Sequence, residues 1–131
     1  MATRKAGSAR KQAGKRQGAR VPTKATGGKK KLAGDPVKVD SKHYTVEFEN
    51  NRVRVLRVRY GPREVSVMHG HPAAVGVFLT EVHARFTFPD GKTEEQTVRA
   101  GDVVAYPAGE QLPENLLEQP LELVLVELKG L

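Results

Sequence analysis

From Asp35 onward the chain contains no stretch with a sustained helical period. It offers only apolar runs of four to eight residues, broken at intervals of roughly ten by Gly, Pro, Asn and Asp. Short runs at that spacing are the texture of an all-β sandwich or barrel. Residues 43–48 (HYTVEF) alternate, and Glu49-Asn50-Asn51-Arg52 reads as a tight turn, because Asn tolerates positive φ. Residues 53–60 (VRVLRVRY) follow, and Arg52, Arg54, Arg57 and Arg59 between apolar residues predict a strand with one wet face. Gly61-Pro62 breaks this strand, and residues 65–71 and 75–80 (VGVFLT) supply further extended segments. Residues 84–88 (ARFTF) meet Pro89-Asp90-Gly91-Lys92, a hairpin turn signature, from which residues 94–99 pair back. After the turn at Gly101-Asp102, residues 103–106 (VVAY) read as too apolar for a sheet edge, and residues 121–128 (LELVLVEL) as a strand buried on much of both faces. Residues 107–120 between them are expected to form a long loop.

Charge divides the chain where this texture begins. Residues 1–34 hold eleven Lys and Arg and no Asp or Glu, whereas residues 35–131 hold eleven basic against fifteen acidic residues, a balance of −4. The formal +7 of the whole is thus the property of one end. With 131 residues there is material for one modest core, so the expected organisation is a tail over 1–34 and a single barrel domain over 35–131. The tail has no aromatic residue and, before Leu32, only Met1 and Val21 as larger apolar residues. It cannot bury enough surface to offset the entropy of ordering, and disorder is expected. A polycation on a tether binds nucleic acid by counterion release without reading sequence, and Lys29, Lys30 and Lys31 are the densest candidate contacts. The alternative is a solubilising extension.

The absence of cysteine excludes disulfides, thiolate metal sites and a cysteine nucleophile, and fits a reducing compartment. No apolar run approaches the ~18 residues of a membrane span, and the N-terminus lacks the apolar core of a secretory signal. An acid-poor, basic N-terminus also suits a transit peptide, but this one lacks an amphipathic face. A cytoplasmic protein with no membrane partner is expected.

The residues best suited to chemistry are His69 and His71. Successive strand residues face opposite sides, so the two imidazoles of His69-Gly70-His71 point the same way, ~6.6 Å apart along the chain. Two imidazoles on one face can share a metal ion, or flank a turn at the surface. From His69 to Lys129 the order of elements resembles the cupin superfamily: His-x-His, a strand, a Pro-Asp-Gly hairpin, then a Gly-Asp strand ending in a Pro-containing loop. His69 and His71 match the first motif of that family. Gly61 stands two positions early, and the motif's Glu falls on Val75 or Gly76. Gly101, Pro107 and Gly109 match the second motif. Gln111 followed by Asn115 keeps its His-to-Asn spacing, with Gln111 where the family has a third histidine.

The resemblance implies a jelly-roll barrel, or double-stranded β-helix, with a metal pocket inside it. Here His69, His71 and Gln111 would be the ligands of a divalent transition metal such as iron, manganese, nickel or zinc. An amide oxygen is a weaker ligand than imidazole or carboxylate, so affinity should fall below that of the usual set. Phe78, His83 and Tyr106 are candidate pocket-lining residues, with core packing as the plainer role for Phe78 and Tyr106 and a structural one for His83. His43 reads as a satisfied strand histidine, Glu81 as a strand-end acid that could act as a base only if turned inward, and Arg57 and Arg85 as a solvated face. Three functions follow. One is an enzyme with a mononuclear metal acting on a small molecule. Another is a non-catalytic module for small-molecule binding or dimerisation, whose tail contacts nucleic acid. The third is a plain dimeric barrel of this kind with a solubilising tail. A homodimer is expected, since β folds gain by covering sheet edges.

Overall fold

Leu56, Val58 and Tyr60 are buried while Arg59 between them faces water, the alternation of a strand with one covered face. They belong to β2 (Val53–Tyr60), one of nine strands in the computed structural model, which describes residues 33–130. The others are β1 (Tyr44–Glu49), β3 (His69–His71), β4 (Ala74–Phe78), β5 (Val82–Thr87), β6 (Thr93–Val98), β7 (Val103–Tyr106), β8 (Gly109–Asn115) and β9 (Leu121–Leu128). One helical turn, α1 (Pro36–Val39), precedes them, with Asp35 accepting from the Val37 amide and Pro36 at its first position. The strands form two sheets, in the orders β1-β2-β9-β4-β7 and β3-β8-β5-β6, and all pairings are antiparallel.

The core is the set of inward residues from both sheets: Leu56, Val58 and Tyr60 of β2, Leu121, Leu123 and Leu125 of β9, Ala74 and Phe78 of β4, and Val82 and Ala84 of β5. The expected jelly-roll barrel is what the chain forms. The hairpin at Pro89-Asp90-Gly91-Lys92 closes as its sequence demands. Gly91 takes φ +87°, where a side chain would be strained, and the Asp90 carboxylate accepts the Lys92 amide at 2.9 Å.

Four local expectations need correction. Residues 107–120 are not one loop, because Gly109–Asn115 forms β8 between β3 and β5. Its Glu, Gln, Pro and Asn have little strand propensity; two partner strands impose the conformation. β7 does lie at a sheet edge, since its inward side chains Val104 and Tyr106 pack on the core while Val103 stands 63% exposed. The turn after β1 needs no positive φ at Asn. Instead the Asn50 side chain accepts the amides of Arg52 and Val53 at 2.8 and 2.9 Å. Finally, Arg54 is not part of a wet face. It shares the inward parity of Leu56, and its guanidinium holds both Asp35 oxygens and Glu127 Oε1, each at 2.9 Å.

That clamp fixes the segment leading into α1. The Gly34 carbonyl accepts from the Gly70 amide at 3.0 Å, and the Ala33 amide donates to Glu110 at 2.7 Å. The free edge of β3 is thereby covered, which is why His69, Gly70 and His71 are all buried. Of the tail, residues 1–32 lie outside the described residues, and Lys29, Lys30 and Lys31 with them.

Candidate functional site

His69 is 1% exposed and His71 4%. Each ring is held by a backbone carbonyl: His69 Nδ1 donates to Val67 O at 2.9 Å and His71 Nδ1 to Pro72 O at 2.8 Å. A carbonyl only accepts, so Nδ1 carries a proton in both rings, and in a neutral imidazole Nε2 is then the acceptor. His69 Nε2 is buried without any hydrogen-bond partner. Burial pushes this imidazole down to about 4, with neighbouring His71 adding in the same direction, so it stays neutral near pH 7.

A cavity of about 60 Å³ lies between the sheets, walled by His71, Gln111, Gln96, Tyr44, Tyr60, Tyr106 and Phe78 among others. Tyr106 donates to Gln96 Oε1 at 2.7 Å, and the Tyr44 and Tyr60 hydroxyls bond each other at 2.8 Å. Desolvation pushes all three phenols up, so they remain protonated. Gln111 pairs directly across from His69 in the ladder between β3 and β8. Of the residues expected here, His71, Gln111, Phe78 and Tyr106 reach the cavity wall, whereas His69 lies against the edge of the Tyr44 ring, centroids 5.0 Å apart.

His83 is not in the pocket. Val82 and Ala84 take the inward positions of β5, which turns His83 outward to meet Glu95 at 2.8 Å with its side chain 39% exposed. Glu81 stays on the surface, and Arg57 and Arg85 pair with Glu47 and Glu122 and with Glu95 and Glu114. His43 is buried and satisfied at both nitrogens, by Asp40 at 2.8 Å and Glu64 at 2.9 Å. The Gly61 amide, Lys42 and His43 together hold the Glu64 carboxyl down at about 2. A surface cleft over Lys42, His43 and Arg59 has its charges already paired, Lys42 with Glu64 and Arg59 with Glu122.

The metal centre implied by the resemblance can be tested against these positions. Imidazole nitrogens bind such ions at ~2.0–2.1 Å, so two rings sharing one ion at a tetrahedral angle have centres roughly 5 Å apart. Here the centres are 6.5 Å apart and the rings tilt by 45°. Gly76 occupies the inward position nearest the family's acidic ligand, and a Cβ there would stand 3.2 Å from the rings of both Phe78 and Tyr106. No carboxylate fits into that space. Among the described residues no three His, Asp or Glu side chains are grouped to hold an ion. The donor set is two imidazoles that do not converge and one neutral amide, which falls short of that centre.

Tyr44, Tyr60 and Gln96 were not among the expected site residues. Tyr60 was legible, since it shares the parity of Leu56 and Val58. Gln96, in the polar run of β6 (TEEQTV), carries no such signal.

No family model matches the chain, nor does any curated protein. Solved structures do. A cupin domain from Bordetella pertussis Tohama I is 26% identical over 66% of this chain and 92% of its own, with a TM-score of 0.62. A protein with a double-stranded β-helix domain from Klebsiella pneumoniae is 21% identical over 66% of this chain and 76% of its own, at 0.54. Oxalate decarboxylase from Bacillus subtilis, a protein with Mn(II) centres, is 20% identical over 62% of this chain and 22% of its own, at 0.50.

Proposed function

We propose that this chain, a member of the cupin superfamily by its fold, is a small-molecule-binding barrel that uses its cavity without the family's full metal centre. The observation that carries this reading is the wall itself. His71 Nδ1 is occupied by a carbonyl, which leaves Nε2 free at the cavity, and the Gln111 amide makes no hydrogen bond among the described residues. Both residues line the cavity, where the polar groups of a ligand can meet them. Here the chain's own residues bind and orient. The carbonyls of Val67 and Pro72 hold the rings, Tyr106 holds Gln96, and the leucines of β9 and Phe78 supply the apolar part of the wall.

The test is a fragment screen by NMR on full-length, untagged, chelator-treated protein. Ligands should move the side-chain amide signals of Gln111 and Gln96. A screen that shifts surface resonances alone would remove the reading.

A second reading has its own support in the buried, unpartnered Nε2 of His69. An ion held by His69 and His71, after both rings turn toward each other, would give that lone pair a partner and supply Lewis-acid chemistry. Metal analysis of the untagged protein separates the two, since stoichiometric iron, manganese, nickel or zinc favours this reading and its absence the first.

A further inference from the structure

The strand ladders set one side chain from each strand of the five-stranded sheet in a single outward row: Phe48, Val55, Val126, Val75 and Ala105, each directly opposite the next. In the adjoining row Val124, Val77 and Val103 follow Arg57 in the same way. Phe48 is 54% exposed and Val103 63%, and Ala105 is exposed as well. The outer face of an antiparallel sheet that meets water is ordinarily polar. The four-stranded sheet obeys this rule, since its outward positions hold Glu114, Arg85 and Glu95 in one row and His83 opposite Thr97 in another. One outer face of the barrel is thus built for water, and the other is an apolar patch of the kind that marks a contact surface.

The chain's own first segment is a poor cover for this face, because residues 1–32 offer only Met1, Val21 and Leu32 as larger apolar side chains. Strand addition at the sheet edges is disfavoured too, since β1 is bulged between Val46 and Phe48 and β7 is only four residues long. The charges at the corner of the face cancel: Arg57 pairs with Glu47 and Glu122, and Arg59 with Glu122. Two copies can therefore meet on it although each barrel sequence has a balance of −4. Strands about 4.8 Å apart, with about 3.4 Å per residue, give the five-stranded sheet a face of roughly 500 Å². Two such faces bury about 1,000 Å² together, the least that a specific interface needs. We propose that the outer face of the five-stranded sheet is the interface of a homodimer, in which the two sheets pack face to face. The cavity lies on the inner side of this sheet, so the dimer leaves it free and does not depend on what it binds.

Sedimentation equilibrium of full-length, untagged protein at about 100 μM, where a micromolar affinity is saturated, should give twice the 14.3 kDa of one chain. Phe48→Glu and Val103→Glu should each weaken the dimer at least tenfold, because the symmetry brings two new charges into an apolar contact. Both side chains stand outside the core, so the far-UV circular dichroism of each variant should match the parent's. Thr97→Glu, on the outer face of the four-stranded sheet, should leave the dimer as it is. In the parent, a soluble paramagnetic agent should spare the methyl signals of Val103 and Val126, and broadening of both would show a free surface and overturn the proposal. A parent that sediments as a monomer overturns it as well, and if that monomer floats with phosphatidylcholine vesicles the face belongs to a lipid surface. A dimer that survives both charged substitutions, or that Thr97→Glu breaks equally, overturns it by placing the contact elsewhere.

Discussion

His69 is where a single residue most directly links burial to behaviour. Its imidazole is about 4 in the folded chain against 6.5 for an ordinary histidine. Between those values the unfolded chain takes up a proton that the folded one refuses, so stability falls as pH drops through that window. Because His69 is 1% exposed, the shift translates to a loss of about 3 kcal/mol from pH 7 to 4. Urea unfolding across this range should give a steeper fall for the parent than for His69→Gln, and parallel curves would refute the assignment. Gln111 gives a second prediction at the same scale. It lies directly across from His69, so Gln111→His adds a third imidazole to the pair. Cobalt or zinc titration should then show affinity at least tenfold above the parent, because imidazole is the stronger ligand. Unchanged affinity would mean that the new ring points away from the pair.

At the scale of the element, β4 shows why part of the site was legible and part was not. The His-x-His spacing placed two imidazoles on one strand because the period of two is a property of any strand. The turn glycines and the parity of β2 were equally readable, since a steric rule or an alternation fixes each locally. What escaped depended on partners far along the chain: β8 is a strand because β3 and β5 flank it, and Arg54 turns inward because Asp35 and Glu127 wait there. The vacancy at Gly76 is of this second kind, filled by Phe78 from its own strand and Tyr106 from the neighbouring one. Contacts of 3.2 Å to two rings packed against the core leave little freedom to yield. Gly76→Ala should therefore cost about 1–3 kcal/mol by overpacking, read as a lower urea midpoint. Gly76→Glu, which restores the family's acidic residue, should cost more than Gly76→Ala and yield no tighter metal binding. A stable Gly76→Glu chain with raised metal affinity would overturn the account of a closed acidic-ligand position.

For the molecule as a whole, the partition of charge matters more than the sum. Eleven cations within residues 1–34 stand beside a barrel sequence with a balance of −4, so any affinity for a polyanion must come from the first segment. Each phosphate neutralised releases counterions, and log affinity falls against log salt with a slope of about −0.9 per contact on duplex DNA. Engaging even half of the eleven cations would give a slope of about −5, and no preference among sequences, because nothing in the segment reads base edges. The full chain should be retained on a DNA column at low salt and released steeply as salt rises. A chain lacking residues 1–32, which hold all eleven cations, should pass through, while Ala33 and Gly34 keep their bonds to Glu110 and Gly70, Asp35 keeps its clamp on Arg54, and the barrel melts at an unchanged temperature. Retention that survives the deletion would place the contact on the barrel, against its charge. A full chain that ignores DNA at low salt would leave the basic segment as an extension for solubility, the alternative its composition equally allows.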